Sequence, residues 1–194
     1  MNWLFSYQGS GSNYIRYCIE FLSKKPTQGP FRLIPHDQEF ILMRSHYAFE
    51  LSENEKVVIL IRNPFELIFR ENVLNNNEKE LIDNMHTVCG RYQSFLEKFP
   101  NARVFYYEEI VDNFDKIKEL INYYEITLQE DINKFESNLE HHKINSYKLG
   151  NKFYSNKSNI FYSKNLSEEN YNTLYSIIIS YPNNLVNLLS NYFR

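Results

Sequence analysis

The stretch FSYQGSGSNYIRY (Phe5–Tyr17) has the residue types of a loop that holds an anion. Gly9 and Gly11 let backbone N–H groups approach a ligand closely, and Ser10 and Ser12 add hydroxyl donors. A helix beginning just after them would add the partial positive charge of its N-terminus. No lysine follows Gly11, so the pattern G-x-x-x-x-G-K-[ST] of triphosphate-binding loops is not met. ATP hydrolysis and kinase chemistry are disfavoured on that ground.

Three further places carry polar groups that suit such a ligand. Arg62 ends an apolar run, VVILIR, and a charge there needs either a bound phosphate or a carboxylate such as Glu66. Arg70 follows Asn63 by seven residues, about two helical turns, so the two share a helix face. Arg62 and Arg70 could then grip one phosphate from two sides, as guanidinium forks do. In the segment Arg44-Ser45-His46, Arg44 and His46 point the same way if the chain is extended. A neutral imidazole at His46 can accept a proton from an alcohol; the alternative is an ordinary surface or capping histidine. His36 and His86 read as surface residues, and the pair His141-His142 as a candidate lining for an acceptor pocket. No spacing of histidines, cysteines and acids suggests a metal site.

The elements that would position these groups alternate between strand and helix. NWLFSY (Asn2–Tyr7) reads as a buried strand. Ile15, Cys18, Ile19 and Leu22 then mark one face of a helix, with Ser12 or Asn13 as its N-cap. The stretch 24–37 reads as loop, and a short strand begins in 39–46. KVVILIRNP (Lys56–Pro64) suits a central parallel strand, followed by a helix capped by Asn63 with Pro64 in its first turn. ARVFYYEEI (Ala102–Ile110) is the fourth strand candidate. Helices are expected over 79–99 and 114–124, and over 166–179 from a Ser-x-x-Asn start. The fold class implied is α/β: a three-layer α/β/α sandwich with a mainly parallel central sheet, P-loop NTPase-like, in one domain over residues 1–194. In such sheets ligands bind beyond the carboxyl ends of the strands. There the loop Gln8–Asn13, the Arg44–His46 segment, Arg62-Asn63 and Tyr107-Glu108-Glu109 would converge.

Composition narrows the partners. The net charge is −3, against a general nucleic-acid binder. No run approaches the length of a membrane span and no basic leader precedes an apolar stretch, so a cytoplasmic location is expected. The two cysteines, Cys18 and Cys89, fit reduced thiols.

Taken together, strand, Gly/Ser loop and helix, then basic-Ser-His, then RNP, then YEE resemble the sulfotransferase family. Its members use 3′-phosphoadenosine 5′-phosphosulfate (PAPS) as sulfo donor and release adenosine 3′,5′-bisphosphate (PAP). Typical members read YPKSGTTW, KTHLP, RNPxxxxxS and YEDL in that order. The counterparts here are YQGSGSNY (Tyr7–Tyr14), RSHY (Arg44–Tyr47), RNPFELIFR (Arg62–Arg70) and YEEI (Tyr107–Ile110). The resemblance covers about residues 2–125. It implies that Gln8, Gly9, Ser10, Gly11, Ser12, Asn13 and Tyr14 hold the 5′-phosphosulfate end, and that Arg62 and Arg70 bind the 3′-phosphate. His46 would be the base, and Tyr107 would lie near the adenine. NKFESNL (Asn133–Leu139) is similar to the family's Thr-Ser-Phe segment, making Phe135 an adenine contact. The stretch Ser155–Glu169 is similar to the late Arg-Lys-Gly loop, making Lys157 a 3′-phosphate contact, with Lys152 or Lys164 as alternatives. No metal is implied.

Two departures stand out. The family's first-loop lysine falls at Gly9, leaving Arg44 or Arg16 to supply the missing charge. The family's 3′-phosphate serine falls at Arg70. The reaction implied is in-line transfer to the hydroxyl of a glycan or small-molecule acceptor. The competing readings are a P-loop-like nucleoside or nucleotide kinase and a non-catalytic nucleotide-binding relative, the latter favoured by Gly9.

Overall fold

A computed structural model describes residues 1–29, 33–35, 39–71, 78–151 and 166–193; the side chains of 69–71, 147 and 149–151 lie outside the description. Strand β1 (Asn2–Ser6) leads through the glycine loop into helix α1 (Ser12–Ser23). Strands β2 (Met43–Ser45), β3 (Lys56–Ile61) and β4 (Arg103–Tyr106) complete a sheet of order β2-β1-β3-β4. Every pairing is parallel, so all four carboxyl ends lie on one edge. The register sets Ser45 beside Phe5 and Tyr106 beside Ile61, which brings the four strand-end segments together.

The helices are α2 (Pro64–Glu71), α3 (Glu78–Lys98), α4 (Tyr107–Asp112), α5 (Phe114–Tyr124), α6 (Ile132–Glu136), α7 (Leu139–Asn151), α8 (Glu168–Ile179) and α9 (Asn183–Leu189). A short 3-10 turn, Ser190–Tyr192, follows. Alternate strand residues face opposite layers, as the pleat requires. Phe5, Ile59 and Ile61 pack with Phe65, Met85, Tyr92, Phe95, Leu174 and Ile178 from α2, α3 and α8. Leu4, Val58 and Leu60 pack on the other side with Ile15, Ile19, Leu22, Ile117 and Leu120 from α1 and α5. The three-layer α/β/α sandwich is therefore observed. Each large apolar side chain buried in these layers contributes about 1.5–3 kcal/mol.

Local signals held where chemistry was strong. Asn63 Oδ1 accepts from Phe65 N at 2.9 Å and starts α2. Ser167 accepts from Asn170 N at 3.2 Å and starts α8. Helix α5 has the expected bounds.

Three expectations are corrected. The N-cap of α1 is Gly11, not Ser12 or Asn13, and no side chain caps the helix. Gly11 has φ 89°, and the side-chain oxygens of Ser12 and Asn13 accept from Arg44 instead. Strand β2 has only three residues, because the preceding segment joins the sheet edge through a single bridge, Thr27 to Leu42. Strand β4 stops at Tyr106, and Tyr107-Glu108-Glu109-Ile110 forms the first turn of α4. Two acidic residues in that first turn favour the helix over a continued strand.

Candidate functional site

The glycine loop occupies the carboxyl end of β1. Gly9 and Gly11 adopt φ 81° and 89°, a region that side chains with a Cβ enter at a cost. A Cβ on Gly11 would stand 2.0 Å from Cε2 of Tyr107, so the ring lies directly against the loop backbone. At Gly9 the nearest atom to such a Cβ is Leu67 Cδ2 at 3.6 Å, an ordinary contact. A Cβ at position 9 would therefore have room, but the backbone conformation is one that residues with a side chain rarely adopt. The turn is closed by Ser10 N donating to Tyr7 O at 3.2 Å. Ser10 is fully buried, with its Oγ 3.5 Å from the Tyr92 hydroxyl, so its side chain faces the core and not a ligand. That departs from its expected role, and its backbone N–H is already given to Tyr7 O. Ser12 and Asn13 open α1, whose first turn has no side-chain cap. Gln8 is exposed at the tip of the loop. Tyr14 is buried beneath it, and burial raises its phenol far above the ordinary range.

Arg44 approaches the loop from β2. Its Nη1 donates to Ser12 Oγ and to Asn13 Oδ1, each at 3.3 Å, and its backbone N donates to Gln28 Oε1 at 3.1 Å. Arg16 is buried, donates to Asn13 Oδ1 at 3.2 Å and to Thr27 Oγ1 at 2.8 Å, and lies 3.6 Å from the carboxylate of Glu20. Both arginines proposed to replace the loop lysine thus reach Asn13, and Arg44 reaches Ser12 as well.

His46 follows β2 in a tight turn in which Tyr47 N donates to Ser45 Oγ and Ser45 Oγ donates to Tyr47 O. Its Nδ1 stands 2.6 Å from Ser6 O, at the end of β1. A carbonyl oxygen only accepts, so Nδ1 carries the proton and Nε2 keeps its lone pair. Burial is the largest influence on this imidazole and lowers its pKa; Arg44 and Arg91 lower it further, while the Ser6 contact acts the other way. The neutral form is favoured.

Arg62, at the end of β3, is 8 % exposed. Its Nη1 donates to Gly9 O at 3.0 Å, and its guanidinium carbon lies 4.2 Å from the centre of the Tyr107 ring. Its Nε is buried with no hydrogen-bond partner among the described residues. Among the described residues no carboxylate forms an ion pair with it. A buried donor without a partner fits an anionic ligand. The backbone beyond Arg62 is held by Glu108, whose Oε1 accepts from Asn63 N at 3.0 Å. The other carboxylate oxygen accepts from the hydroxyl of Tyr192 at 2.7 Å.

Phe135 does not join this site. It is 1 % exposed, with its ring stacked 3.8 Å from the His142 ring and 5.3 Å from that of Phe114. With both faces covered, it has none for an adenine, so this expectation is corrected. His142 is likewise core: it is 3.1 Å from the Tyr17 hydroxyl through Nδ1, and burial lowers its pKa. His141 is exposed and lies 2.8 Å from Asn145. The two rings of the pair thus lie in different surroundings, one in the core and one at the surface. Arg70 lies on α2, but its side chain is outside the described residues, as are His36, Lys157, Lys152 and Lys164.

Arg91 and Tyr92 of α3 touch the site and were not singled out by sequence. Tyr92 had one available signal. It continues the apolar face Leu81, Met85, Val88, Cys89, and a hydroxyl on a buried face needs a polar partner. No three histidines, cysteines or acids of the described residues gather as metal ligands, and no described helix is long and apolar enough to cross a membrane.

No protein-family model matches the chain, and no curated protein matches it. Among solved structures, mouse sulfotransferase SULT7A1 complexed with PAP is similar, with a TM-score of 0.69 and 13 % identity. The match covers 98 % of this chain and 88 % of that one. A parallel sheet of order β2-β1-β3-β4, with the glycine loop, Arg44–His46 and Arg62-Asn63 on its carboxyl edge, is here built on the sulfotransferase fold.

Proposed function

We propose that the chain is a PAPS-dependent sulfotransferase acting on a hydroxyl of a glycan or small-molecule acceptor, with His46 as general base. The observation that carries this reading is the fixed His46 ring. Its Nδ1–H is spent on Ser6 O, so Nε2 keeps its lone pair on a ring fixed at the end of β1. The unpartnered Nε of Arg62 and the uncapped start of α1 support a ligand with two anionic ends. The similar mouse protein is complexed with PAP, which has two phosphates.

When bound, PAPS supplies an activated sulfo group. The residues of the chain do the rest. His46 Nε2 takes the acceptor proton as the hydroxyl attacks, a contribution of about 10²–10⁴ in rate. The backbone N–H groups of Gly9, Gly11, Ser12 and Asn13, and the guanidinium of Arg44 that donates to Ser12, would oppose the negative charge that develops on the 5′-phosphate. Arg62 would hold the 3′ end, with Arg70 and Lys157 as further contacts, and Tyr107, whose ring packs on Arg62, would lie near the adenine. Tyr107 is itself held between Gly11 and Arg62.

Calorimetric titration with PAP, with ATP and ADP as controls, tests the donor site. Tight PAP binding that Arg62→Ala weakens roughly 10–100-fold is expected, as for loss of a charged hydrogen bond. A preference for ATP with magnesium, or no PAP binding, refutes the proposal. PAP binding without transfer from PAPS to any acceptor would instead favour a non-catalytic relative.

A further inference from the structure

Helix α3 contributes no residue to the four strand-end segments, yet two consecutive residues on it hold three of them. Arg91 Nη1 donates to the backbone O of His46 at 2.8 Å, and its guanidinium carbon lies 3.8 Å from the centre of the Tyr47 ring. Further along the helix, Lys98 pairs with Glu50, so the segment after His46 is tied to α3 at both ends. Tyr92 turns the other way, about 100° around the helix. Its hydroxyl accepts from Arg62 N at 3.1 Å, donates to Arg62 O at 3.2 Å and stands 3.5 Å from Ser10 Oγ.

We infer that Arg91 and Tyr92 are paired positioning residues: Arg91 sets the turn that carries His46, and Tyr92 sets the end of β3 that carries Arg62 and the glycine loop beside it. The functional meaning of these contacts rests on the base and donor roles proposed above. The contacts themselves exceed what packing needs. A phenylalanine at 92 would fill the same fully buried space, and only the hydroxyl reaches both backbone groups of Arg62. The Tyr47 ring could lie on any flat surface, but the Arg91 donor goes to the carbonyl of the base itself. Since both residues sit on one helix, α3 ties the turn that carries the base to the strand end that carries the phosphate-binding arginine. Arg91 also sets charge. Together with Arg44 it is one of the two cations acting on the His46 imidazole, and both oppose its protonation.

The test uses the whole chain with nitrogen-15 labelled histidine and arginine. Tyr92→Phe is expected to move the Arg62 Nε–H resonance and weaken PAP binding roughly tenfold, leaving the His46 titration where it was. Arg91→Ala is expected to raise the His46 pKa and leave PAP affinity unchanged, and Arg91→Lys to restore part of the lowering. Thermal unfolding of each variant separates this from general loosening of α3. The inference is overturned if Tyr92→Phe leaves both Arg62 and PAP affinity unaltered, or if Arg91→Ala leaves the His46 titration unaltered. It is overturned equally if both variants only lower the melting temperature. A wild-type chain that does not bind PAP would refute the donor reading alone; the two resonances would still decide the positioning roles.

Discussion

Replacing Gly11 by alanine separates the two costs that the glycine loop avoids. The first is conformational. Gly11 sits at φ 89°, where a residue with a Cβ loses about 1–2 kcal/mol. The second is steric. The new Cβ would fall 2.0 and 2.2 Å from two carbons of the Tyr107 ring, so the ring must leave its place. Displaced, Tyr107 gives up its contact under the buried Arg62 guanidinium, at about 1–2 kcal/mol. The sum is about 2–4 kcal/mol, or a fall in melting temperature of roughly 5–15 °C for a chain of this size. Gly9→Ala is the control: it meets only Leu67 at 3.6 Å, so it has the conformational cost alone and should fall by about 2–6 °C. Scanning calorimetry of the two variants measures both numbers. PAP titration of the same samples should show the larger loss for Gly11→Ala. Equal effects of the two substitutions, or a Gly11→Ala protein as stable as wild type, would refute the reasoning that Tyr107 is wedged between the loop and Arg62.

The lowered pKa of His46 gives a pH dependence with a definite sign. A base must be unprotonated, so kcat/KM should be flat near neutral pH and fall only below the ordinary histidine value of about 6.5, as a pH–rate profile will read. His46→Ala should lose transfer by about 10²–10⁴ while PAP affinity persists, and loss of both would point to a structural role. Stability follows the same groups. His46 and His142 both titrate lower when folded, so the unfolded chain takes up protons more readily as pH falls through about 6.5. Denaturation midpoints should therefore drop below that pH and hold steady above it. Phe135→Ala should cost about 3–5 kcal/mol in urea unfolding and leave PAP affinity of the folded protein unaltered; a selective loss of PAP binding would restore Phe135 to the site.

What the sequence made legible is what local chemistry dictates. Ile15, Cys18, Ile19 and Leu22 are all fully buried, as their helical spacing predicted. The run Lys56–Ile61 is a central strand with neighbours on both sides. Asn63 and Ser167 cap as their side chains allow. The four strand-end segments could be placed because a parallel sheet sends them to one edge. The failures share a different cause. Ser10 looked like a ligand donor by type, but its orientation depends on Tyr92, 82 residues away. Phe135 matched a family segment by composition, yet its rings of contact come from α5 and α7. Arg91 sits in an amphipathic helix whose pattern says only which face is buried, and its partner is 45 residues distant. The Tyr107 segment has strand-forming aromatics, but the acids after it tipped the chain into α4.

The bridge from Asn63 through Glu108 to Tyr192 has a consequence for how the protein is made. Glu108 can offer one oxygen to the end of β3 as soon as α4 forms. Its second oxygen waits for a hydroxyl that the ribosome delivers 84 residues later. Tyr106 waits in the same way for the carbonyl of Leu188. Until those residues emerge, a nascent chain can assemble its sheet and still hold the Arg62 corner by only half of its tether. That corner is thus completed only well after the glycine loop itself has left the tunnel.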